Sequence, residues 1–350
     1  MNLMKEKFGN YFTNLVVLIV VVLVFFLILE GSLGVFKIGD VDKFKGWGFN
    51  PDCCGDLRPN QEIDAKVEPN HPYLIKTNSL GLRNNSDISL IPKKTRILAI
   101  GDSFTFGPYI SNEESWPAYL EKEFEKNAEV LNAGVAGYTI EEEFDYLKEK
   151  GVKLEPNLII LQFSPNDITD FDKPKERRGR GSALSNLGFI YKIFNFFRDR
   201  SHLFAAILEY QTENKIKKTR PIAEKAHEEN KKITYYSNQK HPLFLKYESV
   251  FEELVEFTRN HNLKLMVIAI PEVGQSEDLS LNDPDDFLEE MCRKNEIPFL
   301  DLQRIFYEKK AVDVLYLTPW NAHLSKHGSK LVAEEVKKFI VNNRVLEIEE

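Results

Sequence analysis

The chain has 350 residues, a formal net charge of −8 and 43% hydrophobic residues. That length and apolar fraction are ample for one large domain with a considerable core, and no internal repeat or low-complexity tract interrupts it. The acidic balance argues against nucleic acid as a partner, because phosphate binding draws on clustered Lys and Arg.

The first element is a membrane segment. Leu15 to Leu29 is uncharged throughout, and with Tyr11 to Asn14 it reaches about the 20 residues needed to cross a bilayer as a helix. Glu30-Gly31-Ser32-Leu33-Gly34-Val35 offers no clear small-x-small cleavage site, so 11–35 is read as an uncleaved anchor in place of a signal peptide. Lys5 and Lys7 fit a short cytoplasmic segment at 1–10, although Lys37, Lys43 and Lys45 weaken the charge bias. The expectation is a single-pass membrane protein with its main domain outside the cytoplasm.

The stretch 36–94 is rich in Pro, Asn, Asp and Gly and reads as an extended arm with little regular structure. It contains the adjacent Cys53 and Cys54, and with Cys292 three thiols allow one bridge with one left over, or none.

From about residue 95 the pattern alternates. Apolar strand candidates begin at Ile97, Val130, Leu158, Leu263 and Ile297. Helix-like stretches lie between and after them at Trp116–Lys126, Glu141–Lys150, Tyr247–Asn260, Asp285–Asn295 and Lys326–Val341. Such alternation implies a parallel sheet covered by helices on both faces. Three strand ends carry chemistry. Ile100 leads into Gly101-Asp102-Ser103, Val130-Leu131 into Asn132-Ala133-Gly134-Val135-Ala136-Gly137, and Phe163 into Ser164-Pro165-Asn166-Asp167. A hydroxyl, a backbone N–H and a side-chain amide gathered at one point would form an oxyanion hole beside a nucleophile. Near the C-terminus, His323 sits just before the last helix-like run as a candidate general base.

Between the third strand and Leu263 lies an insertion, about 173–245. Residues 173–240 carry sixteen Lys and Arg against seven Asp and Glu, and Phe189–Arg198 and Leu203–Leu208 are aromatic or apolar runs. They suit a helical cap packed on the core, a lid over an acyl group, or a helix in a membrane interface. An acidic tail closes the chain at 343–350.

No metal or cofactor is expected. His323 and His327 are four apart but lack the Glu beside the first His that a zinc-protease helix carries, and the other five histidines are scattered. Gly101 to Gly107 fits neither the phosphate-loop spacing nor the dinucleotide fingerprint.

Taken in order, the serine, glycine, asparagine and histidine blocks resemble those of the SGNH/GDSL hydrolase family, from about Ile97 to the final helix. The resemblance implies a flavodoxin-like three-layer α/β/α sandwich with a central parallel sheet over 95–342. It implies Ser103 as nucleophile next to a supporting Asp102, with His323 as base. The oxyanion donors would be the Ser103 N–H, the Gly137 N–H and the Asn166 side chain. Thr77-Asn78-Ser79-Leu80-Gly81-Leu82-Arg83 is similar to a segment of many bacterial members and has no role derivable from sequence. Two positions depart from the pattern. Ser164 stands where a Gly is usual, narrowing the site, and Asn321 stands where relatives carry the triad Asp. Asp313 is the nearest upstream carboxylate. The implied partner is a carboxylic ester: acetyl or short acyl groups on envelope polysaccharide, or lipid esters. The alternatives are a catalytically weak protein binding acylated glycans, an O-acyltransferase to sugar, and a membrane-docking scaffold built on the basic insertion.

Overall fold

The structure, a computed structural model, describes residues 2–36, 38–39, 57–66, 72–125, 127–172, 196–197, 200–207, 210, 241–318 and 321–348. The chain divides into two compact units, Met1–Trp47 with Leu187–Ala223, and Gly48–Asn186 with Glu224–Glu350.

The larger unit is built on five parallel strands, which follow an antiparallel pair, β1 (Glu62–Lys66) and β2 (Pro72–Lys76). The five are β3 (Thr95–Ile100), β4 (Ala128–Asn132), β5 (Leu158–Phe163), β6 (Lys264–Ala269) and β7 (Phe299–Asp301), in the order β4-β3-β5-β6-β7. They are near-continuous apolar runs because both faces are covered. Leu98, Ile100, Leu131, Ile159, Leu161 and Val267 point into one core. Residues of the helices Ile140–Glu149, Pro242–Asn260 and Asp283–Lys294 complete it. Ile97, Ala99, Val130, Leu158, Ile160, Met266 and Ile268 point into the other, closed by Trp116–Glu123, Gln303–Lys309 and Lys326–Asn342. The expected three-layer sandwich is therefore present. From β3 the chain winds outward to β4 and then crosses back to β5 on the other side. That reversal opens a crevice beyond the carboxyl ends of β3 and β5, the usual ligand position in open α/β sheets.

The arm is more ordered than its composition predicts. β1 and β2 pair in register from Glu62 opposite Lys76 to Lys66 opposite Pro72. Tyr73 and Ile75, two apart on β2, pack with Phe106 in a small core of their own. Two buried positions are too short a period-2 signal to stand out among Pro and Asn. The helix expected from Tyr247 begins at Pro242, where Pro occupies the first turn and His241 accepts the Leu243 N–H. Cys292 is a free thiol buried in the core, while Cys53 and Cys54 lie outside the described residues.

In the smaller unit, one helix spans Asn2–Val35, and its segment Thr13–Val35 is long and apolar enough to cross a membrane. Glu30, near its end, accepts hydrogen bonds from the Ser201 hydroxyl at 2.9 Å, from the Leu203 N–H at 3.1 Å and from the His202 N–H. These donors open the helical segment 202–207. Of the insertion's aromatic run, Phe189 to Asn195 lies outside the described residues; Phe196 and Phe197 are exposed.

Candidate active site

β3 delivers Ser103 through a tight exit. A Cβ on Gly101 would meet Thr105 Oγ1 at 2.3 Å and Gln162 Oε1 at 2.6 Å, so glycine lets the backbone pass against β5. Asp102 then caps the one-turn helix Ser103–Phe106, its Oδ1 accepting the Phe104 N–H at 2.8 Å. Gly107 ends that helix at φ +75°, returning its N–H to the Ser103 carbonyl at 2.8 Å.

His323 arrives from the other end of the chain on a short connection that is pinned at both sides. Its carbonyl accepts the Leu317 N–H at 2.9 Å, and the following Ser325 caps the helix Lys326–Asn342. His323 Nε2 lies 2.9 Å from Ser103 Oγ, and His323 Nδ1 lies 2.5 Å from Asn321 Oδ1. The same Oδ1 accepts the His323 backbone N–H at 2.9 Å. An amide oxygen can only accept, so the ring proton sits on Nδ1 and Nε2 is left to accept the Ser103 hydroxyl. Asp313 has no part in this chain; its carboxylate accepts the Thr318 hydroxyl at 3.0 Å. Burial holds the imidazole down at a pKa of about 4, so the ring is neutral at neutral pH.

Behind the serine, Asp102 Oδ2 accepts from Asn166 Nδ2 at 2.9 Å and lies 3.4 Å from Ser103 Oγ. Burial raises the Asp102 carboxyl, opposed by hydrogen bonds from Asn166, Phe104 and Ser103. Ser164 does not narrow the site as its extra atoms predict. It is fully buried and turns its hydroxyl to Asn166 Oδ1. With its oxygen held by Ser164 and its nitrogen by Asp102, the Asn166 amide has one orientation. The glycine block presses on the same turn. Asn132 Nδ2 donates to the Thr105 carbonyl at 3.0 Å, and a Cβ on Gly134 would meet the Phe106 nitrogen at 2.4 Å. Gly137, at φ +82°, faces open space.

The structure thus brings Ser103, His323, Asn321, Asp102 and Asn166 together, with Ser103, His323 and Asn321 in one hydrogen-bonded chain and Asn166 bonded to Asp102 behind the serine. Two walls escape the sequence reading. The Phe104 and Tyr109 rings lie 5.6 and 6.1 Å from the His323 ring, centroid to centroid. Beneath the site Glu143 and Asp167 are buried, and their carboxyls are pushed well above the usual range by burial first and then by Asp102, with Glu142 adding to the effect on Glu143 and Glu143 to that on Asp167. Among the described residues, no group of three or more His, Cys, Asp or Glu could hold a metal ion.

Residues 99–331 match the model of the GDSL-like lipase/acylhydrolase family. The chain belongs to that family. Its parallel sheet between two helical layers is the SGNH/GDSL fold. Among solved structures, a protein assigned to the G-D-S-L lipolytic family from Desulfitobacterium hafniense DCB-2 is 16% identical, with a TM-score of 0.43 over 70% of this chain and 99% of that one. An acetylxylan esterase from Geobacillus stearothermophilus is 15% identical, with a TM-score of 0.43 over 72% of this chain and 96% of that one. No curated protein matches the sequence.

Proposed function

We propose that this GDSL-family protein is a membrane-anchored serine hydrolase acting on carboxylic esters. The observation that carries the reading is the chain Ser103 Oγ, His323 Nε2, His323 Nδ1, Asn321 Oδ1, with links of 2.9 and 2.5 Å. Ser103 attacks the ester carbonyl as its proton passes to His323 Nε2. The Ser103 N–H, the Gly137 N–H and Asn166 Nδ2 hold the developing oxyanion. Collapse of the tetrahedral intermediate breaks the bond to the alcohol oxygen, which leaves with the proton from His323. Water, deprotonated by the same imidazole, then attacks the acyl-enzyme, and its collapse releases the acid and restores the serine. A sugar hydroxyl in place of that water would give acyl transfer by the same steps.

The substrates that suit an anchored exterior domain are acetyl or short acyl esters of envelope polysaccharide, or lipid esters. The packing of Ser201, His202 and Leu203 around Glu30 supports an anchor that stays in the mature chain. Asn321 favours a second reading, in which the site binds acylated glycans and turns them over poorly, because a neutral amide gives no charge to stabilise the imidazolium.

The test is turnover by the detergent-solubilised full chain of an aryl acetate, acetylated xylan and a phospholipid, beside Ser103→Ala. Release of acid lost at least about a thousandfold in the variant supports the hydrolase. Binding of acetylated glycan without turnover selects the second reading.

A further inference from the structure

The segment Thr77–Arg83 contributes no group to the acid–base chain, yet it is tightly built. Asn78 Oδ1 accepts the N–H groups of Leu80 and Leu82, each at 3.0 Å, and the Asn78 carbonyl accepts that of Gly81 at 3.0 Å. Gly81 turns at φ +80°, where a Cβ would meet the Leu57 carbonyl oxygen at 2.4 Å. This knot delivers Arg83, whose N–H donates to the Asn132 carbonyl at 2.9 Å beside the glycine block.

The Arg83 side chain is 1% exposed. Its Nη1 donates to the carbonyls of Phe106 and Gly107, its Nη2 to that of Ile110, and its Nε to Asn112 Oδ1 at 3.1 Å. The guanidinium also lies 4.6 Å from the centre of the Phe106 ring. Burial lowers its pKa to about 9, which leaves it charged at neutral pH. A buried cation among neutral acceptors is a costly way to hold a loop, and only a planar fork can serve these acceptors together. Phe106 and Gly107 close the helix that carries Ser103, so their carbonyls are orphans that the fork satisfies. Between Gly107 and Ile110 stands Tyr109 at φ +65°, a left-handed conformation unfavourable for a bulky residue. Its ring leans edge-on to His323 and to Tyr73.

We propose that Arg83 is a positioning residue, clamping the turn from Phe106 to Ile110 so that Tyr109 closes over His323 and shields the base from water. The inference rests on the reading of His323 as the base. Among the described residues, the groups facing that ring are the Ser103 hydroxyl, the Tyr109 phenol, the Phe104 ring and the Asn321 amide. Asp102 stands behind Ser103. With the turn released, water reaches the imidazole and its proton affinity rises toward that of a free histidine.

The experiment uses the full chain in detergent, as wild type, Arg83→Lys and Tyr109→Gly. Glycine relieves the left-handed backbone while removing the ring, so this variant keeps the test open even where Arg83→Lys does not fold. Two readouts are taken, the NMR titration of the His323 ring and the pH dependence of fluorophosphonate labelling. Both variants are expected to titrate His323 at least about one pH unit above the wild type. Arg83→Lys is expected to label about tenfold more slowly at neutral pH, through misplacement of the turn. A His323 titration unmoved in Tyr109→Gly, or in a folded Arg83→Lys, overturns the proposal. A wild type that takes no label defeats the nucleophile reading instead, and the NMR titration still decides the role of Arg83.

Discussion

His323 Nδ1 lies 2.5 Å from the side-chain oxygen of Asn321, so a neutral amide fixes the tautomer of the imidazole that faces Ser103. The geometry of a triad is kept and its negative charge is not. Orientation and charge, two contributions that a carboxylate supplies together, are here separated.

Asn321→Asp restores the charge at the same position. The carboxylate stabilises the imidazolium formed as Ser103 attacks, and kcat/KM for an aryl acetate is expected to rise about tenfold to a hundredfold, well within the roughly 10⁴ that the reverse change costs a serine protease. Because an adjacent anion favours the charged ring, the His323 titration moves upward as well. An unchanged rate would mean that the base is supported by groups other than residue 321.

The pH profile of the wild type follows from burial. His323 is held at about 4, below the ordinary histidine value, so kcat/KM is expected to stay level as pH falls below neutrality and to drop only near pH 4. Folding is linked to the same group. The unfolded chain binds the proton more readily than the folded one between the ordinary histidine pKa and about 4, so stability rises with pH across that window and is lost on acidification. Thermal melts of wild type and His323→Gln across that range check the sign, the variant showing the shallower dependence.

Glu143 behaves in the opposite sense. Its carboxyl is raised well above the usual range by burial, with Asp102 and Glu142 adding to the effect. The folded state therefore binds a proton that the unfolded state has released, and stability falls as pH rises through that interval. Glu143→Gln keeps the shape without the ionisable group. Its melting temperature is expected to exceed that of the wild type by a few degrees at neutral pH, an effect of about 1 kcal/mol, and the gain should vanish below the unfolded pKa.

Ser164 and Asn166 test the oxyanion reading. Asn166→Ala removes a donor and is expected to cost about 10²- to 10³-fold in kcat. Ser164→Ala only frees the amide from its fixed orientation, so a loss of about tenfold is expected, equivalent to roughly one hydrogen bond. An effect on KM alone in either variant would place Asn166 in substrate binding and not at the oxyanion.

Much of this was legible because strands buried on both faces leave uninterrupted apolar runs, and because Gly101, Gly134 and Gly137 mark places where backbone passes closely or turns left-handed. Ser103 and Asn166 could be singled out on that basis, His323 by its place just before the last helix, and Asn321 only through the resemblance to the family. What the sequence hides depends on distant contacts. The hydroxyl of Ser164 counts as bulk until its bond to Asn166 is seen. Tyr109 reads as one aromatic among many until a left-handed backbone turns it toward a histidine more than two hundred residues away. Arg83 has no role derivable from sequence, since nothing local announces that four neutral oxygens await its guanidinium. The β1–β2 pair is concealed by flanking residues that favour turns.

An activated Ser103 is open to direct test by covalent labelling. The detergent-solubilised full chain is treated with a fluorophosphonate and read by intact mass, beside Ser103→Ala and His323→Ala. A single adduct is expected on the wild type, none on Ser103→Ala and slowed formation on His323→Ala. A folded wild type that stays unmodified, or an adduct that persists in Ser103→Ala, would show that Ser103 is not an activated nucleophile.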